Sequence, residues 1–160
     1  MTTEPAMDLD TRTDAAIYAE YSVELVRFAT SLVGPIDAPD VVANAFVQLM
    51  TAPIWLAAHN HRALLYRRVV FEARTWQRSA VRRRTREDRA ARTAVAEFAD
   101  LQPEVAAAVR ALSPQQRAVV FLTYWNDLTP ASIAELLGVS DGTVRKQLAR
   151  ARTHLKKALS

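Results

Sequence analysis

Three helix starts follow one another closely in the C-terminal part of this chain, and they constrain its fold more than any other sequence feature. Ser113 stands before Pro114, and Gln116 is placed to close a capping box with that serine. Thr129 and Pro130 repeat the order of a capping side chain followed by a proline. A third start follows in the segment SDGTVRKQLARARTHLKKAL. These signals predict three short helices in succession, the last from residue 141 to about residue 159.

The turn GVS, residues 138–140, is typical of a helix-turn-helix. Gly138 permits the left-handed conformation that ends a helix, and Ser140 is placed to cap the next one. That next helix keeps an apolar stripe formed by Val144, Leu148, Ala151 and Leu155. Its other faces carry lysine and arginine, which suit guanine edges in the major groove and backbone phosphates. The pattern predicts DNA binding, and the alternative is a basic helix that contacts no base.

The first half of the chain shows the same three- and four-residue apolar spacing. It predicts a helix over about 13–33, a second one capped by Asp37, and a third from about His61 into an Arg-rich run. Between the last two, the segment TAPIWLAAHNH breaks the periodicity at Pro53. The predicted fold class is therefore all-α, with two small helical domains joined by a linker. We place the domains at 12–84 and 104–160, with the linker at 85–103, and the second domain is the helix-turn-helix.

Charge is strongly segregated along the chain, although the formal net charge is only +4. Residues 1–61 carry two Arg and eight acidic residues, and residues 93–140 are also net acidic. Residues 62–92 carry eleven Arg and three acidic residues, and residues 141–160 carry six Lys or Arg and one acidic residue. Two separate basic blocks favour two separate contacts with a polyanion, whereas the acidic N-terminal part favours a different partner.

Several other classes of protein do not fit the sequence. The chain has no cysteine, so it can form neither a disulfide framework nor a thiolate metal site. His59 and His61 lie close together, but no neighbouring carboxylate completes a metal site, and no phosphate-binding loop or nucleophile motif is present. No secretory signal or apolar run of membrane-spanning length is found. We predict a cytoplasmic protein that is not an enzyme, needs no cofactor or metal, and does not bind membranes.

The segment LSPQQRAVVFLTYWNDLTPASIAELLGVSDGTVRKQLARARTHLKKAL resembles region 4 of the bacterial sigma-70 family, and above all its extracytoplasmic-function (ECF) group. In that family this domain reads the −35 promoter element. The resemblance implies DNA contacts, carried over by position, at Arg117, Thr143, Arg145, Lys146, Ala149 and Arg150.

The first half resembles region 2 of the same family, in YAEYSVELVRFATSLVGPIDAPDVVANAFVQLM and HRALLYRRVVFEARTWQRSAVRRRTR. There the acidic second helix docks on the polymerase, and the basic third helix holds the −10 element. The loop between them captures a flipped base, although a loop tryptophan is equally suited to be a packing anchor. The implied −10 contacts are Trp55, His59, Asn60, Arg67, Arg68, Arg74 and Arg78. The implied polymerase contacts are Asp40, Ala43, Asn44 and Val47.

The chain departs from the family pattern at five positions of this first half, one of which is Leu64 in place of a usual Trp. Ala43 and Asn44 replace a usual Gln-Glu pair. Phe71 and Thr75 replace a usual Asn and Asp. Region 2 is therefore a divergent match.

The resemblance implies an ECF-type sigma factor, which binds core RNA polymerase and directs it to promoters that it helps to open. The implied partners are the β′ clamp helices and the β flap of the polymerase, and promoter DNA; an anti-sigma factor is a further candidate. One alternative is a helix-turn-helix regulator, because the same C-terminal segment is similar to the LuxR-type output domain. Another, motivated by the departures, is a degenerate sigma-like regulator that does not initiate transcription.

Overall fold

The computed structural model describes residues 13–84 and 101–160, which form eight α-helices and no strand, so the all-α prediction is confirmed. The helices are α1 (Asp14–Val33), α2 (Ala38–Met50), α3 (Pro53–Leu56), α4 (His61–Arg84), α5 (Pro103–Arg110), α6 (Pro114–Tyr124), α7 (Pro130–Leu137) and α8 (Asp141–Ala158). None of these helices is both long and apolar enough to cross a membrane. Most of the predicted linker 85–103 lies outside the described residues.

Helices α1, α2 and α4 pack on one another to form an N-terminal bundle. Their apolar stripes meet in one core, which contains Leu25, Phe28 and Phe46, each at most 1% exposed. Two local predictions were wrong. Asp37 precedes α2 but its side chain makes no capping hydrogen bond, since its own backbone is already helical. Pro53 begins the short helix α3, where the broken periodicity had predicted a loop.

Helices α5 to α8 form a C-terminal bundle, and its predicted caps are confirmed. Ser113 and Gln116 make the capping box of α6. The Thr129 side chain accepts a hydrogen bond at the start of α7, and Ser140 does the same for α8. Gly138 is left-handed, with φ +67°, and it ends α7 as expected.

The two bundles pack directly against each other, and their buried residues form one continuous core. Helix α1 lies on α6, where the rings of Phe28 and Phe121 are 6.0 Å apart between centroids. Helix α4 lies on both α6 and α7. The helix that carries most of the −10 candidates is therefore packed against the first helix of the helix-turn-helix in this arrangement.

A polar network joins α1 to α4 inside the N-terminal bundle. The Tyr66 hydroxyl donates to Glu24 Oε2 at 2.9 Å, and Arg62 Nη2 lies 3.1 Å from the same oxygen. Burial raises the pKa of the Tyr66 phenol well above its ordinary value, and the neighbouring Glu24 carboxylate raises it further. The hydrogen bonds that Arg62 donates to the Glu24 carboxylate raise the pKa of its guanidinium.

The raised pKa of Tyr66 makes stability depend on pH in the alkaline range. The folded state holds the phenolic proton more tightly than the unfolded chain, whose tyrosine pKa is about 10. The protonated Tyr66 phenol therefore stabilises the folded state fully below about pH 10, and this part of the free energy of unfolding is lost as pH rises beyond that value. We expect the free energy of unfolding, measured with urea, to decline above about pH 10, and to decline less steeply in Tyr66→Phe than in the unchanged protein. Parallel declines in both proteins would contradict this assignment.

Candidate nucleic-acid interface

The first half of α8 presents a basic face to solvent. Val144 and Leu148 are fixed in the core, and at 100° per residue the positions 145, 146, 149 and 150 then share an arc of about 140°. Arg145, Lys146, Ala149 and Arg150 are all exposed. Arg145 Nε donates to Asp141 Oδ2 at 3.0 Å, an exposed pair that a phosphate or base can displace at little cost.

Two other −35 candidates lie in different surroundings. Thr143 is half-buried at the start of α8, where its hydroxyl lies 2.8 Å from Ser140 Oγ within the helix cap. Arg117 is on α6 and is only 6% exposed. The exposed face of α8 is therefore formed without Arg117, and the assignment of Arg117 to DNA stays a prediction.

A second basic face runs along α4. Arg67, Phe71, Arg74 and Arg78 recur at spacings of four, three and four residues, and all four are exposed. This is one stripe of the helix. Arg68 lies beside the stripe, half-buried, with Nη2 2.6 Å from Glu72 Oε1.

The C-terminal bundle covers part of this α4 stripe. Arg67 Nη2 donates to the backbone oxygen of Glu135 at 2.9 Å, and its Nε donates to that of Leu136 at 3.3 Å. The guanidinium thus satisfies carbonyls at the C-terminal end of α7, where the helix dipole favours a cation. A Cβ at Gly138 would lie 2.6 Å from Arg67 Nε, so a larger residue there would displace this arginine from the end of α7, while the positive φ itself favours glycine. Farther along the stripe, Arg74 donates to the Gln115 side chain.

The loop candidates divide into buried and exposed residues. Trp55 is 2% exposed, and its ring packs edge-on against that of His61 with 4.5 Å between the ring centroids. Its Nε1 donates to Asp14 Oδ1 at 2.9 Å. Asn60 Oδ1 accepts from the Ala63 backbone at 3.0 Å near the start of α4. His59 is exposed. In this arrangement Trp55 packs as the anchor that the alternative describes, and its assignment to a base contact stays a prediction.

The polymerase candidates share the solvent face of α2. Asp40, Ala43, Asn44 and Val47 are all exposed and follow one another at helical spacing. Asn44 also reaches across to α4, where its Nδ2 donates to Glu72 Oε2 at 2.6 Å. Within residues 13–84 and 101–160, no cluster of three or more His, Asp or Glu could hold a metal ion.

A comparison with protein families matches residues 103–155 to the description "Sigma-70, region 4". The match begins with α5 and ends within α8, so it contains the whole helix-turn-helix. The C-terminal bundle is therefore a sigma-70 region 4 domain.

Curated relatives extend the likeness beyond region 4. The RNA polymerase sigma-E factor of Streptomyces avermitilis is 29% identical over 140 residues, which cover 84% of this chain and 78% of the relative. The sigma-E factor of Streptomyces coelicolor is 29% identical over 142 residues, covering 84% of this chain and 79% of the relative. Alignments of this length include most of the N-terminal bundle as well as the helix-turn-helix.

Two solved structures share the fold. The sigma factor RpoE of Bartonella quintana, in complex with the anti-sigma factor NepR, matches with a TM-score of 0.62 and 24% identity, covering 89% of this chain and 96% of that one. CnrH, in complex with the cytosolic domain of CnrY, matches with a TM-score of 0.55 and 24% identity, covering 91% of this chain and 86% of that one. These likenesses concern the arrangement of helices.

Proposed function

We propose that this chain is a transcription initiation factor of the ECF type, which binds core RNA polymerase and brings it to specific promoters. The observation that carries the proposal is the exposed basic face of α8 on a correctly capped helix-turn-helix that matches sigma-70 region 4. The sigma-E relatives, aligned over most of the chain, support it. The chain would bind and position, while the polymerase makes the RNA in the cytoplasm.

We assign the −35 contacts to the first half of α8, entering the major groove. Arginine there can bond guanine through two hydrogen bonds, and lysine or arginine on the flanks can bond phosphate. The exposed α2 face would dock on the β′ clamp helices, and the α4 stripe would follow the −10 element. The C-terminal bundle would meet the β flap. An anti-sigma factor is proposed as a further partner, because a structural neighbour is bound to one.

The proposed function requires the two bundles to separate. Promoter elements at −35 and −10 are about 25 base pairs apart, or about 85 Å at 3.4 Å per pair. In this structure α4 and α7 touch, since Arg67 bonds the backbone of Glu135 and Leu136. One arginine cannot hold these carbonyls and contact DNA together. The arrangement described here therefore belongs to the chain before it engages a promoter.

Run-off transcription with core polymerase on genomic promoter fragments tests the proposal. Specific transcripts that depend on the added chain are expected. A chain that binds polymerase without supporting transcripts would be the degenerate sigma-like regulator. A chain that binds DNA without binding polymerase would be a helix-turn-helix regulator of the LuxR type.

Replacing basic residues of α8 should weaken binding to the selected promoter duplex. We expect Arg145→Ala, Lys146→Ala or Arg150→Ala to reduce affinity about 5- to 150-fold where a base contact is lost. A lost phosphate contact should also reduce the salt slope by about one unit. Lys157→Ala is the matched control, since it removes the same charge about two to three turns farther along the helix. Unchanged binding in the first three variants would overturn the assignment of this face.

A further inference from the structure

We propose that Arg68 and Phe71 on α4 form a stacking platform for an unpaired nucleobase of opened promoter DNA, an inference that rests on the proposed function. The platform lies outside the loop in which base capture was predicted. It uses a residue that the sequence comparison had marked only as a departure.

Phe71 is the aromatic side chain that α4 offers to solvent. Tyr66 on the same helix is 1% exposed and Trp76 is half-buried, whereas Phe71 is 54% exposed. On the preceding helix α3, Trp55 is buried against His61 and Asp14 and offers no free ring face. An aromatic contact to a base in this part of the bundle therefore has to come from Phe71.

Arg68 is fixed over the ring of Phe71. Its Cζ lies 4.6 Å from the ring centroid, within the range of a cation–π contact. Its Nε donates to Glu72 Oε1 at 2.7 Å, and Glu72 is itself held by the Asn44 amide at 2.6 Å. Glu72 is only 8% exposed, so this chain of bonds is anchored in the bundle. The arginine and the ring are thus ordered before any ligand arrives, which reduces the entropy lost on binding.

The positive charges around Phe71 favour binding of a polyanion over binding of a protein surface. Arg67, Arg74 and Arg78 flank Phe71 on the same exposed stripe. Aromatic side chains on a positively charged path are the combination that binds single-stranded nucleic acid, where each base has a free π-face. In a duplex those faces are stacked on neighbouring pairs. The platform therefore favours opened DNA over duplex.

The contact between the bundles holds the two arginines that flank the platform. Arg67 lies four residues before Phe71 and bonds α7, while Arg74 lies three residues after it and bonds Gln115 of α6. Separation of the bundles frees both arginines, one on each side of the ring. Phe71 is exposed in both arrangements, so promoter engagement adds the two free cationic side chains beside a ring that is already accessible.

The test compares single-stranded with duplex DNA, using the full chain bound to core polymerase and core polymerase alone as the baseline. The probes are fluorescein-labelled dT15 and a labelled dA·dT duplex of the same length, because stacking tolerates any base. We expect Phe71→Leu to lower single-strand affinity by about 10-fold and to leave duplex affinity within about twofold. Phe71→Trp should retain single-strand binding.

Tyr124→Leu provides a matched control. Tyr124 is also an exposed ring with an arginine over it, since Arg152 Cζ lies 6.0 Å from its centroid, but it is on α6. This variant should leave single-strand affinity within about twofold. Unchanged single-strand binding in Phe71→Leu would overturn the platform, as would an equal loss on both probes. Loss of polymerase affinity with intact DNA binding would assign the ring to the polymerase instead.

The platform and the proposed function can fail separately. Single-strand affinity that depends on Phe71, in a chain that supports no transcripts, would establish the platform and reject the initiation role. If Phe71→Leu changed neither the specific transcripts nor dT15 binding, the initiation role would be supported and the platform would be rejected.

Discussion

A cross-link between α4 and α6 is expected to abolish promoter-dependent transcription while leaving binding to a −35 duplex intact. The chain has no cysteine, so Arg74→Cys and Gln115→Cys introduce a unique pair where the two side chains now meet. A short bis-maleimide then holds the bundles together. One cross-linked chain can then no longer bind the −35 and −10 promoter elements together, because they are about 85 Å apart. The gain in affinity from binding both elements at once, about 10²- to 10⁴-fold, is lost.

The −35 interaction should survive this cross-link because the α8 face is open in the closed arrangement, with Arg145, Lys146 and Arg150 all exposed. We expect the affinity for an isolated −35 duplex to stay within about twofold. The unlinked double variant and each single variant treated with the reagent are the controls, since Arg74 is itself a proposed DNA contact. Full transcription by the linked chain would show that the bundles need not separate.

The helix-turn-helix could be predicted from sequence because its determinants are local. The Ser113, Thr129 and Ser140 caps each bond a backbone three residues ahead, and the Gly138 turn depends on that residue's own φ. Each of these interactions requires a certain type of residue at a fixed distance along the sequence, so it can be recognised from the sequence alone. The stripe of α8 follows in the same way from helix periodicity.

The interior of the first half was less predictable because its decisive contacts join residues far apart in sequence. Trp55 is paired with Asp14, 41 positions away, and Arg67 with the end of α7, 68 positions away. No local pattern marks either pair. The sequence therefore left a base contact and a packing anchor as open alternatives for Trp55, and the fold shows that the residue is buried.

Two of the departures from the family pattern, Asn44 and Phe71, also gain a physical meaning. Asn44 lacks the charge of the usual glutamate but bonds Glu72, which in turn holds Arg68. Phe71, in place of the usual asparagine, cannot read a base by hydrogen bonds but can stack on one. Taken alone, each substitution looks like a loss of function. Together they form one connected structure on the surface of α2 and α4.

Replacing Trp55 by alanine is expected to lower the free energy of unfolding by about 3–5 kcal/mol, the range for a large buried aromatic. The side chain is 2% exposed and contacts Phe46 and His61, so its removal leaves a cavity as well as the lost burial. Trp55→Phe keeps a ring but loses the bond to Asp14, and about 0.5–1.5 kcal/mol should be lost with it. Urea unfolding followed by circular dichroism measures both changes.

Leu56→Ala is the control for this prediction, because Leu56 is adjacent in α3 yet 91% exposed. Its effect should stay within about 0.5 kcal/mol. The same variants separate the two roles considered for Trp55. If Trp55 is a packing anchor, Trp55→Ala lowers the stability of the protein. Binding of dT15 by the folded, polymerase-bound chain then depends on Phe71 and not on Trp55. A base-capturing residue would keep its stability on substitution and lose single-strand affinity, which would contradict the buried position that α1 and α4 impose on this ring.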